Sequence, residues 1–258
     1  MSRLTDLLDK TQTSSPGIGF AASRQAAATP DIAVIGRVSA TELAEDSALA
    51  DSPVDALLVT LDASDSSAAS RVGDALKDRL WGARVGSASA EDAMALNDAG
   101  CDFIVFDPEG TAAAVLNDDA LGKVIAVGFD EPEFDEDEAR AIRTLDIDCA
   151  LLTPTDGLLP LTVQKLLTIQ KMRGIVRKRA IMNVPAETGK SELETLRNTG
   201  VAAIAVSLAE VGEDIQRIKD DIANLPRRKS QSTRGANTPR VGFGGGSASV
   251  EDFDEDDE

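Results

Sequence analysis

The chain has 258 residues, a formal net charge of −19 and no histidine. The acidity argues against general nucleic-acid binding, because a phosphate backbone attracts positively charged proteins; it suits a cationic partner, a divalent metal or adaptation to salt. The lack of histidine removes the commonest general base and the commonest transition-metal ligand, so any chemistry must use carboxylates, Arg, Lys, Ser, Thr or Asn.

Eight short apolar segments recur along the chain and are predicted to be strands. In order, they begin at Ile32, Ala56, Ala83, Asp102, Val124, Cys149, Ala180 and Ala203. The intervals of 19 to 31 residues match one strand, one helix and two loops. Strands that are apolar throughout are typical of a parallel sheet covered by helices. Eight such units favour a compact, closed (βα)8 TIM barrel over an open doubly wound sheet, which usually has fewer strands.

Most of the intervening segments carry the start and stop signals of helices. Ser89 is a predicted N-cap with acidic residues in the following turn, and Gly100 stands where this helix should end. A later helix closes in the same way on Gly200. The segment 111–117 has the weakest helical pattern.

The two ends of the chain differ from the predicted barrel, which spans residues 32–225. Residues 1–31 form an extension with an amphipathic turn of three leucines. We expect this turn to plug the barrel floor or pack against the barrel, with dimerisation or a loose segment as the alternatives. Residues 226–258 carry five basic residues and then seven acids among the last eight, which predicts a disordered tail. A solvated tail is preferred to a docking motif for a protein partner.

Two of the repeating units, "EDAMALNDAGCDFIVFD" and "LETLRNTGVAAIAVSL", resemble the helix–Gly–strand repeat of aldolase-type TIM barrels. The resemblance extends over most of residues 32–225. It implies that the C-terminal ends of the strands and the loops after them form the active face, while the opposite end serves stability.

A polar residue stands at the end of every predicted strand. In chain order these residues are Arg37, Asp62, Ser87, Asp107, Asp130, Thr153, Asn183 and Ser207. Because side chains alternate along a strand, we expect them to point inward above a mainly apolar layer. For the aspartates, the alternative is that Asp commonly ends a strand as a turn former or helix N-cap, and both "FDPEG" and "FDEPE" look like turns.

Three carboxylates at the predicted mouth suggest a site for a divalent cation. Converging carboxylates repel one another unless a hard cation such as Mg²⁺ or Mn²⁺, raised pKa values or hydrated separation compensates. In the catalytic hypothesis Asp107 and Asp130 hold the metal, and Asp62 acts as the base.

The remaining polar residues of the mouth suit a small anionic substrate. Arg37 can clamp a carboxylate in bidentate fashion, and Asn183 and Ser207 supply hydrogen bonds. The sequence therefore favours a metal-assisted lyase or aldolase-like enzyme that acts on a small oxo-acid or phosphorylated metabolite. The alternative is a non-catalytic barrel that serves as a protein-interaction or assembly module, with its mouth filled by side chains or by the N-terminal segment.

A second candidate site follows the seventh strand, at Gly189, Lys190 and Ser191. Backbone N–H groups at a helix N-terminus can bind a phosphate group, and the loops after strands seven and eight hold phosphate in many barrels. A Walker loop is rejected because Val184 stands where its first glycine is required. Capping of the helix by Thr188 is the alternative explanation.

Several residues are expected to have no catalytic role. Cys101 and Cys149 fall at strand beginnings and are predicted to be inert and buried. No lysine lies within or at the end of a predicted strand, which counts against a Schiff-base aldolase. The basic run 171–179 is interpreted as a solvated lower face rather than an anion site.

The sequence also bears on location and assembly. No apolar run reaches the length of a membrane span, and the N-terminus lacks a signal-peptide core. We therefore expect a soluble cytoplasmic protein that binds neither membranes nor nucleic acid. A homo-oligomer is left open.

Overall fold

The structure is a computed structural model that describes residues 2–12, 31–129 and 136–226. The predictions for Asp130 and for the acidic tail lie outside the described residues.

Eight parallel strands form a closed barrel in which each strand pairs with its neighbours in chain order and the last returns to the first. The strands are β1 (Ala33–Ser39), β2 (Ala56–Thr60), β3 (Trp81–Ala88), β4 (Phe103–Thr111), β5 (Gly122–Phe129), β6 (Cys149–Pro154), β7 (Arg179–Asn183) and β8 (Ala203–Ser207). Each predicted strand begins within two residues of the observed start. The predicted (βα)8 barrel is confirmed.

Apart from the first helix, which precedes β1, the helices follow the strands around the outside of the barrel. The described α-helices are α1 (Arg3–Gln12), α2 (Ala40–Glu45), α3 (Ser66–Ala75), α4 (Ala90–Asp98), α5 (Glu136–Ile142), α6 (Val163–Val176), α7 (Lys190–Asn198), α8 (Leu208–Val211) and α9 (Ile215–Ala223). After β4 the connection is a short 3-10 helix, Ala113–Asn117, which lacks a side-chain cap. This is the segment with the weakest helical pattern. None of the helices in the described ranges is long and apolar enough to cross a bilayer.

The helix boundaries follow the local capping signals. The Ser89 hydroxyl accepts the N–H of Asp92, and the Asp92 carboxylate accepts the N–H of Ser89, which forms a capping box at the start of α4. Thr162 caps α6 through the N–H of Lys165. Helices α4 and α7 both end just before a glycine with positive φ, Gly100 at +84° and Gly200 at +85°, a conformation that other residues adopt only at a cost.

Small apolar side chains fill the barrel interior. The inward-facing strand residues that form this cluster are Ala33, Ile35, Ala56, Leu58, Phe103, Val105, Val124, Cys149, Leu151, Ile181, Ala203 and Ala205. Phe103 is the one aromatic side chain among them, and it lies between Gly82 of β3 and Gly122 of β5 in the strand register. A Cβ on Gly82 would lie 2.4 Å from the Phe103 ring, so the glycine makes room for the ring.

Helix α1 plugs the floor of the barrel, as the three leucines predict. Leu4 and Leu8 are buried in the same cluster as the inward-facing strand residues. The carboxylate of Asp102, just before β4, accepts the N–H groups of Arg3 and Leu4 at the start of α1, where a negative charge is favoured. At the other end of α1, the Thr11 hydroxyl is 3.3 Å from the carbonyl oxygen of Ala202, to which it donates.

Other charged residues at the floor also have structural partners. The Asp55 carboxylate accepts the N–H of Val34 on the neighbouring strand and pairs with Lys219 at 2.9 Å. Arg197, whose side chain is 1% exposed, pairs with Asp31 at 2.9 Å. These contacts tie the ends of the helices to the beginnings of the strands.

Candidate active site

The inward-facing layer above the apolar filling is polar and open to solvent. Thr60, Gly86, Gly128 and Thr153 are exposed positions of this layer on four different strands. A Cβ on Gly86 would meet no atom within 4 Å, and one on Gly128 would meet only the Oγ1 atom of Thr155, at 3.9 Å. Side chains therefore leave open space in the described part of the mouth.

An ion pair between neighbouring strands forms one side of the mouth. Nη2 of Arg84 donates to Oδ1 of Asp107 at 2.7 Å, and Nη1 of Arg84 donates to the carbonyl oxygen of Val85 at 2.6 Å. Both side chains are partly exposed, Arg84 at 27% and Asp107 at 44%. Arg84 is not among the sequence-predicted site residues, although its alternation with buried Ala83 and Val85 places it on the inner face of β3.

Strand β4 continues beyond Asp107, so the interpretation of "FDPEG" as a turn is wrong. Gly110 and Thr111 pair with Ser87 and Ala88 of β3 after a register shift between Val85 and Ser87. Such a bulge locally changes the direction of side chains, and Ser87, one of the predicted mouth residues, lies immediately after it.

Arg37 lies on the inner face of β1, in register with Ser207 of β8. Its Nε atom is buried and has no hydrogen-bond partner. No carboxylate of the described residues lies within ion-pair distance of its guanidinium. Burial lowers the pKa of Arg37, and the negative charge of Glu210 opposes this shift. The guanidinium still carries its charge at neutral pH, because an arginine in a protein is effectively always protonated.

Three polar side chains on consecutive strands complete the described mouth. Nδ2 of Asn183 donates to Oγ1 of Thr153 at 2.5 Å, whereas Oδ1 of Asn183 is buried without a partner. The Ser207 hydroxyl accepts the N–H of Glu210 at 3.4 Å and caps α8. Accepting this bond leaves the hydroxyl hydrogen of Ser207 able to donate to a ligand.

Asp107 is bound by a side chain of the neighbouring strand, whereas Asp62 is bound only within its own turn. Strand β2 ends at Thr60, and the exposed Asp62 carboxylate accepts both the hydroxyl of Ser64, at 2.8 Å, and its N–H, at 3.0 Å. These two hydrogen bonds lower the pKa of Asp62, the hydroxyl contributing more. A lower pKa makes Asp62 a weaker base, and the geometry agrees with the turn-forming role that Asp often has at the end of a strand.

The described residues do not by themselves provide a metal centre. No group of three or more acidic or cysteine side chains that could hold an ion is found within the described ranges. Of the two predicted ligands, Asp107 is engaged by the guanidinium of Arg84 and Asp130 lies outside those ranges. The predicted Mg²⁺ or Mn²⁺ site therefore stays a prediction.

Gly189, Lys190 and Ser191 lie at the N-terminus of α7, as predicted. This N-terminus is at the same face of the barrel as the mouth. The N-cap is Gly189, without a side-chain cap bond. Thr188 instead donates its hydroxyl to the carbonyl oxygen of Pro185 at 2.7 Å, so the interpretation of Thr188 as the cap is wrong. A carboxylate oxygen of Glu192 lies 2.9 Å from the position of a Cβ on Gly189, which places a negative charge beside this N-terminus.

The residues expected to be inert are placed away from the mouth. Cys101 and Cys149 are buried free thiols, and burial raises the pKa of each to about 12, which confirms the prediction.

The statement that no lysine lies in a strand is wrong, because β5 begins two residues earlier than predicted and includes Lys123. This side chain is buried and pairs with Asp146 at 2.6 Å near the floor, so it is not placed to form a Schiff base at the mouth.

Comparison with known proteins identifies the fold. No family model and no curated protein matches the sequence. Among solved structures, a mutant tryptophan synthase alpha-subunit from Pyrococcus furiosus has a TM-score of 0.58 at 13% identity, over 75% of this chain and 97% of that chain. Thiamine phosphate pyrophosphorylase from the same organism has a TM-score of 0.54 at 14% identity, over 75% of this chain and 95% of that one. The chain therefore shares the closed (βα)8 barrel fold of these two proteins.

Proposed function

We propose that the mouth of the barrel binds a small anionic metabolite, an oxo-acid or a phosphorylated compound, and that the protein is a lyase or aldolase-like enzyme. The observation that carries this proposal is the state of Arg37. Arg37 is half-buried at an open mouth, its Nε atom is buried without a hydrogen-bond partner, and its guanidinium lacks a carboxylate partner among the described residues. Burying a cation without a partner is unfavourable, and a bound anion would supply the missing charge.

The neighbours of Arg37 are suited to orient such an anion. Ser207 lies beside Arg37 in the strand register and has a hydroxyl hydrogen to donate. On β7, the unsatisfied Oδ1 of Asn183 can accept a hydrogen bond from a substrate hydroxyl. Thiamine phosphate pyrophosphorylase, one of the proteins of similar fold, is named for a phosphorylated compound, which agrees with the proposed class of ligand.

Asp107 is the best-placed group for moving a proton. Its Oδ1 atom is fixed by Arg84 at 2.7 Å, while Oδ2 accepts no hydrogen bond from the described residues. A carboxylate that is held on one oxygen and open on the other can take a proton next to a substrate carbonyl and return it later. Asp107 therefore replaces Asp62 as the proposed base.

A metal-dependent form of this function requires Asp130 as a second ligand beside Asp107. Hard cations prefer such carboxylate oxygens, and a divalent ion would polarise the substrate carbonyl. Titration with Mg²⁺ or Mn²⁺ in a calorimeter tests this form. Loss of the binding heat in both Asp107→Asn and Asp130→Asn would support this form. Binding heat in both variants equal to that of the wild type would exclude it.

A thermal-shift screen with phosphorylated metabolites and oxo-acids tests the proposed ligand class. We expect at least one compound to stabilise the wild-type protein and to lose its effect in Arg37→Ala. The matched control is Lys77→Ala, which removes one positive charge from a side chain that is 72% exposed and should keep the shift. If no compound stabilises the protein, or if Arg37→Ala keeps every shift, the proposal fails.

The assembly-module alternative predicts a mouth filled by side chains or by the N-terminal segment. Helix α1 instead occupies the floor, and the described mouth contains open space. Both observations favour the enzyme over the module. Homo-oligomers and a partner for the tail stay predictions, for which light scattering and binding assays with the whole chain are the measurements.

A further inference from the structure

A second, positively charged cleft lies on the opposite face of the barrel. It has a volume of about 510 Å³ and is lined by Ile147, Asp148, Arg173, Arg177, Lys178 and Arg179. These residues come from the beginning of β6, the end of α6 and the beginning of β7, so the cleft opens at the floor and not at the mouth. Its volume lies within the usual range for small-molecule sites.

The charge of this floor cleft is opposite to that of the chain as a whole. Four of its six lining residues are basic and one is acidic, although the net charge of the protein is −19. The single acid, Asp148, accepts the backbone N–H of Lys123 at 2.8 Å, and Arg179 pairs with Asp9 of α1. These two contacts belong to the structure of the floor, and the other three basic residues that line the cleft are Arg173, Arg177 and Lys178.

Two of the three cations are held in place by neutral carbonyl groups. Nζ of Lys178 donates to the carbonyl oxygen of Leu145 at 3.0 Å, and Nη1 of Arg173 donates to that of Thr199. A carbonyl fixes the position of a cation without neutralising its charge. These bonds also join α6 to the neighbouring units, so the cations are positioned by the barrel framework.

Arg177 has no such structural contact. Its exposed side chain makes no hydrogen bond or ion pair with any described residue. Its backbone is left-handed, with φ 53° and ψ 28°, at the C-cap of α6. Glycine is preferred in this conformation, since other residues are strained by about 1 kcal/mol or more. An arginine that weakens the helix end and contacts nothing is explained if its guanidinium binds a ligand.

We propose that the floor cleft binds a small molecule that carries a diphosphate group. Guanidinium groups match the geometry of phosphate oxygens, and cations that approach from the end of α6 and the beginning of β7 can contact two adjacent phosphates. The basic run 171–179 is thus an anion site, in contrast to its interpretation as a solvated lower face. This site is separate from the mouth and does not depend on the function proposed there.

Calorimetric titration with inorganic pyrophosphate, in the absence of divalent ions, tests this site. We expect Arg177→Gly to weaken binding about tenfold, in line with the loss of one charge-assisted hydrogen bond. The same variant should unfold at a temperature equal to or above that of the wild type, because glycine relieves the left-handed backbone. The matched control, Lys77→Ala, removes one charge outside the cleft and should bind as the wild type does.

Arg37→Ala separates this cleft from the mouth. Binding of pyrophosphate that persists in Arg37→Ala and weakens in Arg177→Gly belongs to the floor cleft. The opposite pattern, loss in Arg37→Ala with full binding in Arg177→Gly, would place the anion at the mouth and overturn the inference. No heat with the wild type, or equal weakening in Arg177→Gly and Lys77→Ala, would overturn it as well.

Discussion

Buried polar groups have partners at the floor of the barrel, whereas some at the mouth have none among the described residues. At the floor, Asp102 is bound to the first turn of α1 and Arg197 to Asp31. At the mouth, Nε of Arg37 and Oδ1 of Asn183 are buried without partners. Both ends belong to the same strands, so the difference does not arise from the fold itself.

This contrast shows which end is built for stability. Buried polar groups are normally paired, and an unpaired one costs about 1–3 kcal/mol. A mouth with unpaired groups is less stable than it could be, which is typical of sites that must hold a ligand. The floor cleft is a different case, because the side chain of Arg177 is exposed and its lack of a partner carries no cost of burial.

The largest effect is expected from Arg197→Ala at the floor. The change removes the ion pair with Asp31 and creates a cavity at a fully buried position, so the free energy of unfolding should fall by about 3 kcal/mol. Urea denaturation measures it. Arg140→Ala, which breaks an exposed pair with Asp137, is the control and should cost under about 1 kcal/mol. Equal effects would remove the distinction between buried and exposed pairs.

Two glycines of β3 provide a matched test of floor against mouth. Gly82→Ala places a methyl group against the Phe103 ring, and overpacking should lower the free energy of unfolding by roughly 1–3 kcal/mol. Gly86→Ala, four residues further along the same strand, meets open space and should change it by less than about 0.5 kcal/mol. The comparison uses the same denaturation assay. A large loss at Gly86 would mean that the mouth is filled.

Arg37→Met should have a small effect on stability that is opposite in sign to the floor variants. Replacing a half-buried cation that has no ion-pair partner among the described residues by an apolar side chain of similar length is expected to leave stability unchanged or to raise it by up to about 1 kcal/mol. Thermal unfolding without ligand measures this effect. A clear loss of stability would indicate that Arg37 has a structural partner.

The two cysteines give the smallest effect, confined to alkaline pH. Burial raises the pKa of Cys101 and of Cys149 to about 12, above the ordinary value of 9.0. Because the unfolded thiols ionise first, stability is fully present below pH 9 and is lost as the pH rises toward about 12. We expect Cys101→Ala/Cys149→Ala to show a shallower alkaline decline than the wild type in denaturation at several pH values. Parallel declines would contradict the burial of these thiols.

The sequence predicted the barrel because its signals are local and repeated. Each strand is a continuous apolar run. Glycines such as Gly100 and Gly200 mark the ends of helices, because the chain there adopts a positive φ that favours glycine. The floor plug was also predictable, since three leucines in a short amphipathic turn need an apolar surface.

The site was predicted less completely, because it depends on contacts between strands. Arg84 stands inside β3, and only the alternation with its buried neighbours indicates its direction. Asp62 follows the end of β2, where hydrogen bonds within its own turn compete with convergence at the mouth. Proline and glycine after Asp107 indicate a turn, yet pairing with β3 across a bulge keeps the segment extended.

The contacts of helix α1 also constrain the order in which parts of the barrel fold. The helix precedes every strand of the barrel, but its first turn binds Asp102, just before β4, and Thr11 donates to Ala202, just before β8. Its docking surface is not complete until β8 has been synthesised. Helix α1 is therefore synthesised before the strands that it packs against and docks only after they have assembled.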